Sequence, residues 1–258
     1  MFEIAKNTVK EFLRIKIIYI WLIVGIVLIF SSYVLQNLTI NNENRVIIDF
    51  SLTMIELFGL LMTLFLWSYL LFNEFSKKTV LLILSRIDKK WKFIVGKFLG
   101  FSAIVFLVYF ILTLWFIVAL VLHNIWFEFY YIQAIFLSYI KILIVLAMVI
   151  FFSTFVNPFL ALVVSLVLYL ISHATAFMLF FIEVDTEKQI PSYMFPLIKG
   201  IYYVLPNFHD LSMKEYFLSP YLSNYTNFHF LISLIFGWLF YIFVLLFLSC
   251  IIFNKQEF

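Results

Sequence analysis

The chain has 258 residues, of which 66% are apolar and 12% charged, with a mean hydropathy of +1.11. Soluble domains carry about 45–50% apolar and about 25% charged residues, so this composition excludes a soluble globular protein and a disordered one. The net charge of +3 is too weak to point to nucleic acid, and the single cysteine, Cys250, excludes an internal disulfide, a redox pair and a Cys-cluster metal site.

Six apolar stretches follow in chain order, at 17–35, 51–72, 99–122, 132–152, 159–182 and 230–253. Each reaches the about 20 residues a bilayer crossing needs. With no alternating barrel pattern among them, helices are the expected spans, giving an all-α polytopic membrane fold in one domain over 1–258. Ahead of the first span, residues 1–16 place Phe2, Ala5, Val9, Phe12 and Leu13 on one side of a helical wheel. Glu3, Lys6, Asn7, Lys10 and Arg14 lie opposite. That pattern predicts an amphipathic helix lying in the headgroup layer. The stretch after it is too long for a leader's apolar region, and no small-x-small cleavage site follows, so it reads as a retained span.

Lys and Arg set the orientation. With the amino terminus inside, segments 1–16, 73–98 and 254–258 hold twelve basic residues, and segments 36–50, 123–131 and 183–229 hold four. Both termini are therefore expected in the cytoplasm. The outer segment 183–229 holds four of the five prolines and the apolar stretch YMFPLIKGIYYVL, too short to span. It predicts short interfacial or re-entrant helices before the last span.

The inner loop 73–98 reads NEFSKKTVLLILSRIDKKWKFIVGKF. Seven basic residues surround TVLLILS, an apolar run of about two turns. Two readings stand: a short helix that inserts into a partner's groove, or a basic loop resting on anionic lipid. The run E-x3-K-T-x4-L-S-x5-W-x-F-x-x-G-K-F-L-G over 74–100 resembles the stretch joining spans two and three in permeases of type-2 ABC exporters. The likeness extends along the chain, from the amino-terminal amphipathic segment through six spans to LPNF at 205–208 and a short polar tail. It is nearest to the subgroup with the permease of the nitrous-oxide-reductase maturation exporter. Many relatives carry proline just after the Leu-Ser pair, where Ile87 and Asp88 stand here.

The resemblance implies that 73–98 contains a coupling helix docking on a separate ATPase subunit through Glu74, Lys78, Thr79, Leu81, Leu82, Leu84, Ser85 and Arg86. It makes residues 1–16 an elbow helix. Two ATPase copies and a second permease subunit, as homodimer or heterodimer, would complete an exporter in a bacterial cytoplasmic membrane. No cofactor is expected on this chain, and ATP would bind the partner. The alternative from another class is a six-span scaffold that transports nothing.

Gly96 and Gly100 form G-x-x-x-G, a spacing that permits close helix approach. Tight packing near the coupling helix is the expectation, ahead of a dimer contact. Glu56, Lys141 and His173 are the ionisable residues inside spans. Depths of about 8 Å for Glu56 and about 14 Å for Lys141, at 1.5 Å per residue, allow their long side chains to meet. An ion pair or a polar pathway lining stands against outward snorkelling. His173 is read as a helix-to-helix hydrogen bonder ahead of a ligand or proton relay. His123, His209 and His229 are too scattered for a metal.

Enzyme readings fail on spacing. A phosphate-cradling loop needs G-x-x-x-x-G-K-[ST], but Trp91 stands at the first glycine and Phe98 follows Gly96-Lys97. Gly100-Phe101-Ser102-Ala103 mimics a rhomboid-like serine site. Ser102 is expected about 5 Å from the inner face and His173 about 21 Å, so they cannot pair.

Overall fold

A computed structural model describes residues 1–14, 20, 23–28, 31, 34, 43–66, 89–184, 196, 200, 202, 205–208, 211 and 228–255, without the side chains of 43, 175–184 and 228–231. Every regular element among these residues is helical. The helices are α1 (Phe2–Arg14), α2 (Glu43–Leu66), α3 (Trp91–Leu122), α4 (Phe129–Ser153), α5 (Pro158–Val184) and α6 (Phe228–Lys255). Four stretches are long and apolar enough to cross a membrane among the described residues: Asn44–Leu66, Trp91–Leu122, Phe129–Ser153 and Ile232–Lys255. In α5 the apolar stretch with described side chains is Pro158–Ala174. Of the expected first span, residues 20, 23–28, 31 and 34 are described, and all are helical.

α4 sits at the centre. It packs against α2, α3, α5 and α6, and every residue from 141 to 150 is buried. A helix apolar on all sides must be surrounded, and α4 is. Its neighbours bury one side and leave large apolar side chains exposed on the other, among them Phe106 and Phe110 on α3 and Phe240 and Phe243 on α6. Such a surface fits hydrocarbon and not water.

Short turns hold this order. Asn124 takes a positive φ of 54° after α3, a conformation that asparagine tolerates well. Pro158 opens α5, where its missing N–H costs nothing, and the Asn157 carbonyl accepts from Ala161 N at 2.9 Å.

Two boundaries differ from the sequence expectation. α2 begins at Glu43, not near 51, and α3 begins at Trp91, so the loop expected to run to 98 ends earlier. Lys92 and Lys97 therefore belong to α3. Hydropathy marks where apolar surface begins, whereas the helix continues past it: 32 residues span about 48 Å, against about 30 Å of hydrocarbon. Lys97 is buried in this overhang, its Nζ 5.8 Å from the Phe93 ring centroid and 6.0 Å from that of Phe101. Rings one turn either side thus receive the cation.

α1 lies on this end of α3. A methyl group added at Gly96 would sit 3.0 Å from Ile4 Cβ, and one at Gly100 would sit 2.9 Å from Thr8 Cβ and 3.2 Å from Ala5 Cα. Only hydrogen in place of a side chain permits the approach. The side of α1 facing the protein is Ile4, Thr8 and Phe12, with Thr8 and Phe12 buried. Phe2 and Leu13, expected to lie on the same face as Phe12, are 81% and 46% exposed. α1 thus has three sides: one against α3, one apolar and exposed, and one charged.

Candidate functional site

Glu56, Lys141 and His173 converge within the apolar bundle. Lys141 Nζ on α4 lies 2.7 Å from Glu56 Oε1 on α2, with the two side chains 0% and 6% exposed. The two residues are 85 apart in the chain. Two charges leaving water alone would cost several kcal/mol each, and pairing at hydrogen-bond distance offsets that cost. The opposite charges also cancel within the cluster.

α5 supplies two further members. Tyr169 donates its hydroxyl to the same Glu56 oxygen at 3.0 Å. His173 Nε2 lies 3.3 Å from that oxygen and 3.5 Å from Lys141 Nζ. Tyr169 and His173 are one helical turn apart, so they present to the same side. His173 Nδ1 lies 3.3 Å from the Tyr169 carbonyl. A carbonyl only accepts, so the hydrogen belongs on Nδ1 and the Nε2 lone pair faces Lys141 Nζ. His173 is the cluster's exposed member, with 37% of its side chain accessible.

Phe208, from the sequence between α5 and α6, lies against the cluster. Phe208 is buried, and its backbone N–H donates to the Ser172 carbonyl at 3.3 Å. Its ring centroid lies 5.5 Å from Tyr169 and 5.7 Å from His173. Ser172 is twelve residues before the end of α5 at Val184, so Phe208 reaches about 18 Å back along that helix. Phe208 therefore does not sit at the end of the bundle.

A second layer aligns α2, α3 and α4. Tyr109 OH lies 3.2 Å from Ser138 Oγ. A methyl group at Gly59 would sit 2.5 Å from Tyr109 Cε2, so α2 is bare where that ring crosses it. Tyr139 OH donates to the Ser102 carbonyl at 3.2 Å. Ser102 Oγ donates to the Leu99 carbonyl at 3.0 Å, one turn back on its own helix.

The structure thus brings together Glu56, Lys141 and His173, and places Gly96 and Gly100 against α1. The candidate coupling residues Glu74, Lys78, Thr79, Leu81, Leu82, Leu84, Ser85 and Arg86 lie outside the described residues. Sequence reasoning missed Tyr169, Phe208 and Gly59. Tyr169 carried a usable signal, its four-residue spacing from His173; Phe208 stood out only as part of LPNF at 205–208, and Gly59 carried none. No family model matches this chain, and comparison with characterised proteins found no significant similarity.

Proposed function

We propose that this chain is the membrane subunit of an ATP-driven exporter of the type-2 ABC kind, and that it performs no bond chemistry itself. The likeness of residues 74–100 to that family's permeases motivates the reading. The observation that carries it is the contact of α1 with Gly96 and Gly100. This contact grips α3 just after the basic loop that contains TVLLILS. Force applied to that loop by an ATPase reaches α3 and α1 together, and through α3 the central α4. In this reading α1 is the elbow helix, the basic end of α3 faces the cytoplasm, and six spans form half of a pathway completed by a second permease subunit. Two ATPase copies bind beneath. The segment carrying Phe208 is re-entrant from the outer side, and the Glu56 cluster lies beside the pathway.

The test is co-purification of the ATPase from the native host, with Leu82→Asp/Leu84→Asp as the comparison. Loss of the ATPase in the variant, with the permease still folded, is the expected result. Retained association in the variant, or no ATPase on the parent chain, overturns the proposal. The latter result would favour a non-transporting scaffold.

A further inference from the structure

At the end of the bundle where α3 starts and α6 stops, the two helices leave an apolar groove of about 480 Å³ between them. Its lining includes Trp91 and Val95 from α3 and Phe243, Phe247, Cys250 and Asn254 from α6. Phe93 stacks on Phe253 at 5.9 Å and joins the two helices at this level. Along α6 the groove runs from Asn254 to Phe243, about 16 Å at 1.5 Å per residue. That matches the length of an acyl chain filling one leaflet of a hydrocarbon core about 30 Å thick. The deep end is walled by aromatic rings. The shallow end carries an indole and an amide, groups suited to the headgroup boundary.

Among the described residues, charge at the shallow end is of one sign. Lys89, Lys90 and Lys92 flank Trp91, and Lys255 follows Asn254. Lys89 and Lys255 are exposed. The described stretches 89–100 and 243–255 contain no acidic residue, while Asp88 and Glu257 lie outside the described residues. The acidic residues of α1, Glu3 and Glu11, belong to the helix that packs on the Gly96 and Gly100 side of α3.

The geometry points to a binding site for an anionic phospholipid, with one acyl chain in the groove and the phosphate beside Lys89 and Lys255. Charge complementarity selects this occupant. A second copy of the chain meeting this face through a two-fold axis would bring its own lysines to the same place, and a zwitterionic lipid brings no net counter-charge to Lys89 and Lys255. The inference needs only that α3 and α6 cross a membrane, and stands apart from the exporter proposal.

The experiment uses the full chain in nanodiscs containing brominated phosphatidylglycerol or brominated phosphatidylcholine at equal mole fraction. The readout is the Trp91 emission, taken as the difference between the protein and its Trp91→Phe variant. The expected result is stronger quenching by phosphatidylglycerol. A lysine near an anionic surface contributes about five-fold in affinity. Lys89→Gln/Lys255→Gln, two exposed positions, should reduce that preference markedly while the helical circular dichroism is unchanged. Val95→Phe, which fills the groove, should lower quenching by both lipids. Equal quenching by the two lipids, or a preference untouched by the lysine variant, overturns the site. So does absence of quenching by either lipid, the result if a second copy or another segment covers the groove.

Discussion

Phe208 lies on His173 with ring centroids 5.7 Å apart, joining the connection between α5 and α6 to the exposed member of a buried ionic cluster. The ring shields the Glu56–Lys141 pair from that side, and the Phe208 N–H bond to Ser172 fixes its depth. Phe208→Ala should therefore lower stability by about 3–5 kcal/mol, the usual cost of truncating a buried phenylalanine. Phe208→Leu should recover much of it. Thermal unfolding in detergent measures both, and equal midpoints for Phe208→Ala and the parent would show that the ring does not cover the cluster.

Glu56 and Lys141 should behave as one unit. Glu56→Gln or Lys141→Met alone leaves a buried charge uncompensated, at a cost of about 3–5 kcal/mol. The double variant should lose less than the sum of the two, because both charges are gone. A double-mutant cycle on unfolding free energy gives the coupling. Single variants that each leave assembly and stability unchanged would remove the pair from any structural role.

Tyr169 and His173 both approach Glu56 Oε1, but only Tyr169 meets it as a fixed donor. Tyr169→Phe keeps the ring against Phe208 and removes one hydrogen bond to a charged group, at about 1.5–3 kcal/mol. His173→Gln should cost less, because that side chain is partly exposed. The same unfolding measurement ranks them, and the reverse order would place the histidine as the main support of the carboxylate.

Gly100 meets α1 more closely than Gly96 does. A methyl group there falls 3.2 Å from the Ala5 backbone, which cannot rotate away. Gly100→Leu should displace α1 and speed tryptic cleavage after Lys6, Lys10 and Arg14. Gly100→Ala should act in the same direction with an overpacking cost of about 1–3 kcal/mol. Unchanged cleavage in the leucine variant would mean that α1 is held elsewhere.

Gly59 and Tyr109 offer a reciprocal test. Gly59→Ala drives a methyl group into the ring at Cε2, costing about 1–3 kcal/mol. In a Tyr109→Leu background the same change should be close to neutral. Additive effects would show that α2 shifts to make room.

Much of the helical layout is legible in the sequence because apolar runs of bilayer length are rare in any other setting. The starts of α2 and α3 are not legible, because Glu43, Arg45, Lys92 and Lys97 resemble loop residues although they lie within these helices. Glu56 and Lys141 stood out as charges in apolar runs. Their pairing across 85 residues is a product of tertiary packing, and nothing local in the sequence encodes it. Tyr169 was hidden among 15 tyrosines, and Phe208 among residues expected at the outer end of the bundle. The aromatic composition that makes the chain compatible with lipid also conceals the aromatic residues that shape its interior.

A rod with three unlike sides has one resting posture. α1 cannot roll without turning its charged side against α3, and it cannot slide without striking Gly96 or Gly100 with a bulkier neighbour. It acts as a chock against the first turns of α3 and fixes the angle between the two helices. Any tilt taken up elsewhere in the bundle then has the α1–α3 corner as its fixed reference.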